Sequence, residues 1–181
     1  MTIALNPSPW YRALLTYKNT QFQEFGSTLG ALAYRWLLTH EQELAGLLGG
    51  DSDYVTVVPS KRGKTYENQP LRRALGMVGP MIPRMREAVR CVTPISERMF
   101  DYNPDIFETV LDVSGDRVIL VEDTWISGAT ALSAAGALLR DGAASVVITP
   151  IAREMKPSFH GKEHPYLQYL GGNYVLDSWP R

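Results

Sequence analysis

Apolar residues recur at helical spacing in three parts of the chain. Between Ser27 and Gly50, leucines, alanines and a tryptophan fall every three or four positions, which predicts an amphipathic helix with Ser27 as its N-cap. The pair Gly49-Gly50 is expected to end this helix, because glycine readily adopts the left-handed conformation that closes a helix. A second helix is predicted to begin at Asn68, and the alanine-rich stretch ATALSAAGALLRDG predicts a third that stops at Gly142.

Uninterrupted apolar runs, rich in β-branched residues, lie between and after these helices. Four of them are predicted strands, at residues 54–59, 88–95, 117–121 and 145–152. Runs that are apolar throughout are typical of strands that are buried on both faces. The alternation of strands and helices therefore predicts an α/β fold, with an open, mainly parallel twisted sheet and helices on both faces. Such sheets bind ligands beyond the carboxyl ends of their strands.

The composition is that of an ordinary globular protein. The chain has 181 residues, of which 45% are apolar and 20% charged, and its formal net charge is −1. We expect a single domain over residues 1–181. Cys91 is the only cysteine, so a disulfide within the chain is excluded. The sequence has no visible secretory signal and no apolar run near the roughly 20 residues of a membrane span, so we expect a cytoplasmic protein with no membrane partner.

The charge is unevenly distributed along the chain. Between Lys61 and Arg98 there are nine Lys or Arg residues and three Glu residues. This excess favours an anionic ligand, and a solvated basic surface is an equal alternative. The net charge near zero argues against a protein that coats nucleic acid through bulk charge.

Two acidic residues follow the third predicted strand directly. Glu122 and Asp123 lie in the stretch VILVEDTWISGAT, residues 118–130. Two carboxylates would repel a phosphate, but they are suited to accept hydrogen bonds from vicinal hydroxyls or to hold a hydrated divalent cation. A helix-capping role would account for one of these acids, and poorly for both.

The second half of the same stretch has the features of an anion site. The helix predicted to start near Ala129 has first-turn amides without internal partners, and these favour a phosphate. Gly128 would let a ligand approach the backbone, and Ser127 and Thr130 would supply hydroxyl donors. A ligand that carries a ribose diol beside a phosphate satisfies both halves of the stretch.

The stretch VILVEDTWISGAT resembles the signature of type I phosphoribosyltransferases: an apolar strand, two acids, a few variable residues, then Thr/Ser-Gly-x-Thr. The resemblance implies the fold of that family, an enzyme of the glycosyltransferase class, and binding of 5-phosphoribosyl-1-pyrophosphate (PRPP) with Mg²⁺. By this resemblance, Glu122 and Asp123 would hold the ribose hydroxyls, act in catalysis and contact the metal through water. The residues expected to wrap the 5′-phosphate are Thr124, Trp125, Ile126, Ser127, Gly128, Ala129 and Thr130.

The leaving pyrophosphate of PRPP needs a second anion site. The stretch PSKRGK follows the first predicted strand, and in the family the loop at this place contacts pyrophosphate. The residues given this role are Ser60, Lys61, Arg62 and Gly63, with Lys61 and Arg62 as catalytic cations. An ordinary basic surface turn is the alternative. The family also closes a flexible loop over PRPP, and the candidates in the long segment 96–116 are Arg98 and Asn103.

A looser resemblance, to the ComF-like branch associated with DNA uptake, covers most of the chain. The stretches ALLTYK, VVPSKRGKTYENQPLRRALG, RMFDYNPDIF and IAR occur in the order of that branch, and Arg98, Asn103 and Phe107 fall where it has an Arg/Asn/Phe cluster. The cysteine-rich zinc-binding start found in many such proteins is missing. The chain also continues beyond Arg153 further than the branch usually does.

The family resemblance divides the chain into a core over about residues 51–153 and two flanking segments. The N-terminal helical segment and the C-terminal tail would form a small variable hood or an interface, and a homodimer is plausible by resemblance. Aromatic residues of the tail could stack on a flat acceptor, and packing of the tail on the domain or on a partner subunit is the favoured alternative.

The resulting hypothesis is a phosphoribosyltransferase that moves the phosphoribosyl group from PRPP to a nitrogen acceptor, with Mg²⁺ and release of pyrophosphate. The expected acceptor is a nucleobase-like heterocycle. Relatives that use hypoxanthine or guanine have an acid in place of Ile126, so these two acceptors are less expected. The alternative is a PRPP- or nucleotide-binding module without catalysis, or a ComF-like accessory protein in DNA handling. In the last case arginines would contact nucleic acid phosphates, namely Arg72, Arg73, Arg84, Arg86 and Arg90.

Overall fold

The computed structural model describes residues 2–5, 9–18, 23–60, 64–93 and 99–155. The helices are α1 (Pro9–Thr16), α2 (Gln23–Thr39), α3 (Glu41–Leu48), α4 (Pro70–Gly76) and α5 (Ala129–Arg140). The strands are β1 (Thr2–Leu5), β2 (Tyr54–Val57), β3 (Val89–Cys91), β4 (Phe107–Thr109), β5 (Arg117–Trp125) and β6 (Ser145–Met155). Short 3₁₀ helices span Tyr66–Asn68, Gly79–Arg84 and Pro104–Ile106.

The main sheet has four parallel strands in the order β1-β6-β5-β2. β5 and β6 are the long central pair, in register from Arg117 opposite Ser145 to Trp125 opposite Arg153. Because all four strands run in the same direction, their carboxyl ends lie at one edge of the sheet. This arrangement confirms the predicted α/β class with a parallel sheet.

Apolar side chains on both faces of the sheet form two core clusters. On one face, Ile119 and Val121 pack with residues of α2, α3 and α4. On the other face, Val118 and Leu120 pack with α5 and with the β3–β4 pair. Successive side chains along β5 thus point alternately into the two core clusters. Helices cover both faces of the sheet, as predicted.

The predicted strand at residues 88–95 is shorter than expected and does not join the main sheet. β3 pairs with β4 in a separate antiparallel sheet, with Val89 opposite Thr109 and Cys91 opposite Phe107. Phe107 is fully buried beneath α5, so this small sheet extends the core rather than the edge of the parallel sheet. The prediction of a second parallel strand here was wrong, because a buried apolar run does not reveal its partner.

The long helix predicted from Ser27 consists of two helices. α2 begins before Ser27, whose hydroxyl donates a hydrogen bond to the Glu24 carbonyl at 2.9 Å, so Ser27 is not an N-cap. The break comes at His40, and Gly49, in the left-handed conformation, caps the end of α3 as predicted. α4 begins at Pro70 with Gln69 as its N-cap, so Asn68 is not the cap either.

The first part of the chain contributes elements that the apolar pattern did not predict. β1 pairs in parallel with the far end of β6, and α1 follows it. Leu14 and Tyr17 are buried in the same cluster as α2 and α4. The N-terminal segment is therefore part of the sheet and its core, whereas the predicted C-terminal hood lies outside the described residues. No helix in the described ranges combines the length and the hydrophobicity that crossing a membrane requires.

Candidate active site

The acidic pair lies inside a strand and not beyond it. β5 was predicted to end at Val121, but it continues through Glu122 and Asp123 to Trp125. The extension exists because β6 is also longer than predicted and pairs with β5 as far as Arg153. Alternation along the strand directs Glu122 toward the face covered by α5 and Asp123 toward the face covered by the N-terminal helices.

Two residues from the turn after α1 hold Asp123. The Tyr17 hydroxyl donates a hydrogen bond to Oδ2 of Asp123, and the Lys18 ammonium lies 2.8 Å from the same oxygen. Tyr17 is buried, with 5% of its surface exposed. The Lys18 side chain is 45% exposed and that of Asp123 only 14%, so the ion pair lies where the core meets solvent. Both residues belong to the stretch ALLTYK, for which the sequence predicted no role in a site.

The two carboxyl groups have opposite pKa shifts. Burial, and then the charge of Asp123, raise the pKa of Glu122 well above its usual value. Burial acts to raise the pKa of Asp123 as well, but Lys18 and the hydrogen bonds from Lys18, Tyr17 and Thr124 outweigh it, so that this pKa is lowered. The pair therefore favours one ionised carboxylate, Asp123, beside a more readily protonated Glu122.

Tyr17 remains a hydrogen-bond donor over the whole physiological range. Burial, and then the negative charge of Asp123, raise the pKa of the Tyr17 hydroxyl well above its usual value. The positive charge of Arg73 in α4 partly opposes this rise in the pKa of Tyr17. Among the described residues, Arg73 has no ion-pair partner.

The turn after β5 leads directly into α5, as predicted. Gly128 is the N-cap in the left-handed conformation, with φ of 81°, and α5 begins at Ala129. The Ser127 hydroxyl donates to the Met99 carbonyl at 3.1 Å and accepts from the Ala129 amide at 3.3 Å. Ser127 therefore ties this turn to the segment that precedes β4.

Trp125 has a definite place in this turn. Its indole lies directly over Gly128, so that a Cβ at position 128 would collide with the ring. Trp125 also packs against the core cluster on the α5 side. Position 128 therefore requires glycine for two reasons. The indole leaves no room for a Cβ, and the left-handed backbone conformation disfavours other residues.

A small cavity of about 80 Å³ opens at this edge of the sheet. It is lined by the strand end, the turn and the first turn of α5, together with two residues of the segment before β4. These residues are Met99, Phe100, Glu122, Thr124, Trp125, Ile126, Ser127, Gly128, Thr130 and Ala131. Most of the residues assigned to the 5′-phosphate from sequence thus line one cavity, whereas Asp123 lies behind it with Tyr17 and Lys18.

The second predicted anion site is described only in part. Lys61, Arg62 and Gly63 lie outside the described residues, as does Arg98. The Ser60 amide donates a hydrogen bond to the side chain of buried Gln69 at 3.3 Å, which fixes the start of this loop at the carboxyl end of β2.

Asn103 has a structural place in the segment before β4. Its side-chain oxygen accepts a hydrogen bond from the Asp105 amide at 3.2 Å and caps the short 3₁₀ helix there. Its own amide donates to the buried Ser133 hydroxyl of α5 at 2.8 Å. Asn103 is not among the residues that line the cavity, so its role in a closing loop stays a prediction.

Most of the arginines considered for nucleic acid have partners within the chain. Arg72 pairs with Glu67 at 3.2 Å, Arg84 pairs with Glu41 at 3.6 Å, and Arg90 pairs with Glu108. The Arg86 guanidinium donates to the carbonyls of Pro83 and Met85, both at 3.0 Å.

The donor set at the acidic pair fits a hydrated Mg²⁺ and not a metal caged by the protein. Across the described parts of the chain, no group of three or more His, Cys, Asp or Glu side chains could hold a metal ion. Mg²⁺ commonly binds through one or two carboxylates and retains waters or ligand oxygens for its other positions. Glu122 and Asp123 offer such a set, with Glu122 facing the cavity.

A larger cavity, of about 360 Å³, lies near the opposite end of β2. Leucines of α2 and α3 line it together with polar residues, among them the ion pair of Arg84 and Glu41. Two acidic residues, Glu41 and Asp51, are part of its lining, and their carboxylates would repel a phosphate.

The sequence matches no protein-family model and no curated protein. Among solved structures, the hypoxanthine phosphoribosyltransferase of Trypanosoma cruzi is similar at 16% identity, over 72% of this chain and 77% of that chain, with a TM-score of 0.42. A structure concerned with the C-terminal region of the same enzyme has 15% identity over 72% and 74%, with a TM-score of 0.43.

An asparagine mutant made to study an invariant aspartic acid in HPRTs is similar at 14% identity, over 72% of this chain and 75% of that chain, also with a TM-score of 0.43. Likeness of this degree concerns the outline of the fold and does not identify a substrate or an activity. The resemblance to the ComF-like branch stays a prediction.

Proposed function

We propose that this protein is a phosphoribosyltransferase that moves the phosphoribosyl group of PRPP to a nitrogen acceptor, with hypoxanthine and guanine disfavoured, and releases pyrophosphate. One observation carries the proposal: Glu122, the first of two consecutive acids at the carboxyl end of a central parallel strand, lines the same cavity as the N-terminus of the following helix. Glu122, the turn at Ser127 and Gly128, and Thr130 of α5 line one cavity.

The two parts of this cavity suit the two parts of a sugar phosphate. The first amides of α5 point out of the helix, and together with the Ser127 and Thr130 hydroxyls they would bind the 5′-phosphate. Glu122 and Asp123 would accept hydrogen bonds from the ribose hydroxyls and stabilise positive charge that develops on the sugar. Lys61 and Arg62 would bind the pyrophosphate electrostatically, as the resemblance implies.

Magnesium has a supporting place in this proposal. A hydrated Mg²⁺ held by Glu122 and Asp123 through water would neutralise part of the charge on the pyrophosphate. The protein residues bind and orient the sugar between the strand end and the helix. Met99 and Phe100 also line the cavity and would lie beside the bound sugar phosphate.

Ile126 restricts the acceptor. It lines the cavity and is 44% exposed, in the place where the resemblance puts an acid in enzymes that use hypoxanthine or guanine. An aliphatic side chain cannot donate or accept a proton, so these bases lack the group that would assist them. A nucleobase-like heterocycle or another nitrogen nucleophile that reacts without such help is the favoured acceptor.

The test is a turnover assay with a panel of acceptors. The protein is incubated with PRPP, Mg²⁺ and individual nucleobases or amines, and pyrophosphate release is followed. Release that depends on the acceptor supports a transferase. An absence of PRPP binding in calorimetry, with magnesium present, would refute the proposal.

A second candidate is a PRPP-binding module without catalysis, and Ile126 is also the observation that favours it. A site with an acid pair and a helix N-terminus, but with no proton donor at 126, could bind the sugar phosphate and leave it intact. Tight PRPP binding without turnover on any acceptor would decide for this candidate. A homodimer belongs to the proposal by resemblance alone, and a cytoplasmic location stays a prediction.

A further inference from the structure

The turn after α1 is joined to the acidic pair by two polar contacts, one of which spans 106 positions of sequence. Both contacts end on the same carboxylate oxygen, Oδ2 of Asp123. Tyr17 contacts Asp123 from inside the core, and Lys18 contacts it from the edge of the core that faces solvent. A largely buried carboxylate requires such partners, but one donor would suffice to avoid an unpaired charge.

Lys18 differs from Tyr17 in what it can do for a ligand. Its ammonium carries a full charge and its side chain is 45% exposed. An anionic ligand that approaches two carboxylates is repelled by them, and a cation 2.8 Å from one carboxylate oxygen largely cancels that repulsion.

We propose that Tyr17 and Lys18 are positioning residues of the binding site, through which the acidic strand end accepts a highly charged sugar phosphate. Tyr17 fixes the Asp123 carboxylate in place, and Lys18 offsets its charge toward the incoming ligand. The proposal rests on the proposed function, because it assigns these two residues to the site for PRPP. It extends that site to the N-terminal segment of the chain.

The test compares ligands of different charge on variants of the full chain. Lys18→Met removes the charge and keeps much of the length, and Lys18→Arg keeps the charge. PRPP and ribose 5-phosphate, which lacks the pyrophosphate, are titrated by calorimetry in the presence of Mg²⁺. We expect Lys18→Met to weaken PRPP binding about tenfold or more and ribose 5-phosphate binding by less than about threefold. Lys18→Arg should restore PRPP affinity to within about threefold of the original protein.

Tyr17→Phe tests the other half of the proposal. The ring stays in the core and only the hydroxyl is lost, so both ligands should lose affinity by a similar factor, about tenfold. Arg12→Met is the matched control, because Arg12 is an exposed cation of α1. It should change neither affinity.

The possible results separate this inference from the proposed function. If the original protein binds neither ligand, both the proposed function and this inference are refuted. If the original protein binds PRPP and Lys18→Met binds it equally well, only the inference is overturned. Equal losses for both ligands in Lys18→Met, without rescue by Lys18→Arg, would also overturn it, because they indicate a purely structural contact.

Discussion

Asp123 is held by contacts within the fold and is also proposed to bind the ligand. It is largely buried, yet Tyr17, Lys18 and Thr124 keep its carboxylate ionised. We expect Asp123→Asn to reduce PRPP affinity below detection, because the amide loses the charge and half of the acceptor capacity of the carboxylate. The free energy of unfolding should change by no more than about 2 kcal/mol, since asparagine keeps the shape and an acceptor for Tyr17.

Calorimetry and urea denaturation measure these two effects separately. Asp112→Asn is a suitable control, because it removes the same charge at an exposed residue in the turn that precedes β5. It should leave ligand affinity unchanged. An Asp123→Asn protein that no longer folds would indicate that the acid serves the core and not a ligand.

Glu122 makes the stability of the protein depend on pH. Its pKa is raised above the usual 4.5 by burial and by Asp123, so above pH 4.5 the folded state retains a proton that the unfolded chain releases. The contribution of Glu122 to the free energy of unfolding therefore falls as pH rises from 4.5 to the pKa of the folded state. Glutamine cannot ionise and should not incur this loss.

Melting temperatures of Glu122→Gln and the original protein, measured with a chelator from about pH 4.5 to about pH 8, check this prediction. The variant should melt at a progressively higher temperature than the original protein as pH rises. The underlying difference in the free energy of unfolding should change by at most about 1.4 kcal/mol per pH unit. Glu43→Gln, an exposed change in α3, should give a difference that does not vary with pH. A pH-independent difference for Glu122→Gln would contradict the raised pKa.

Local sequence was informative about some site residues and silent about others. Glu122, Asp123 and the turn at Ser127 and Gly128 were predicted, because they are consecutive and their chemistry follows from a strand–turn–helix unit. Tyr17 could not be predicted by this reasoning. It reaches Asp123 only because the tertiary packing of the N-terminal segment on the sheet brings together positions that are far apart in sequence.

At the scale of elements, the connection between β5 and α5 decides the geometry of the site. Gly128 has a left-handed backbone and lies beneath the Trp125 indole. Gly128→Ala should lower the free energy of unfolding by about 1–3 kcal/mol, because alanine disfavours this conformation and its Cβ would displace the ring. Since the displaced turn carries the first amides of α5, affinity for PRPP should fall as well.

Urea denaturation and ligand titration test this prediction against another glycine. Gly46 lies within α3, and in the described part of the chain no heavy atom other than those of the adjacent α3 backbone comes within 4 Å of the position that a Cβ would occupy there. Gly46→Ala should therefore be neutral or stabilise by up to about 1 kcal/mol. If Gly128→Ala proved as stable as Gly46→Ala, the tight packing of Trp125 on Gly128 would not exist in solution.

Element boundaries depended on partners that the sequence does not reveal. The apolar run of β5 ends at Val121, but hydrogen bonding to β6 extends the strand through polar residues to Trp125. α5 was predicted at its observed start, since Gly128 and the alanine run are local signals. The break between α2 and α3 at His40 was missed because apolar spacing continues on both sides of it.

At the scale of the whole molecule, the fold class followed from the order of apolar runs, whereas the topology did not. Four apolar runs interspersed with predicted helices indicate a parallel sheet. Periodicity contains no information on which run pairs with which, so it could not show that β3 leaves the main sheet to pair with β4. β1 was missed because a four-residue edge strand gives almost no periodic signal.

The distribution of charge over the molecule bears on the alternative role in DNA handling. Arg72, Arg84 and Arg90 each have an acidic partner, and pairing reduces the positive charge available to phosphates. With a net charge of −1, we expect no DNA binding tighter than about 10 μM at about 150 mM salt, a value within the usual nonspecific range. Fluorescence anisotropy with a labelled duplex, at several salt concentrations, measures this affinity.

The acidic partners provide a direct test of whether pairing is the reason. The triple variant Glu41→Gln, Glu67→Gln, Glu108→Gln frees the three arginines and raises the net charge by three. If pairing restrains DNA binding, this variant should bind more tightly than the original protein and lose that gain as salt rises, because freed guanidinium groups release counterions from the duplex. Submicromolar, steeply salt-dependent binding by the original protein would instead favour the accessory role, since the paired arginines would then be compatible with recognition of DNA.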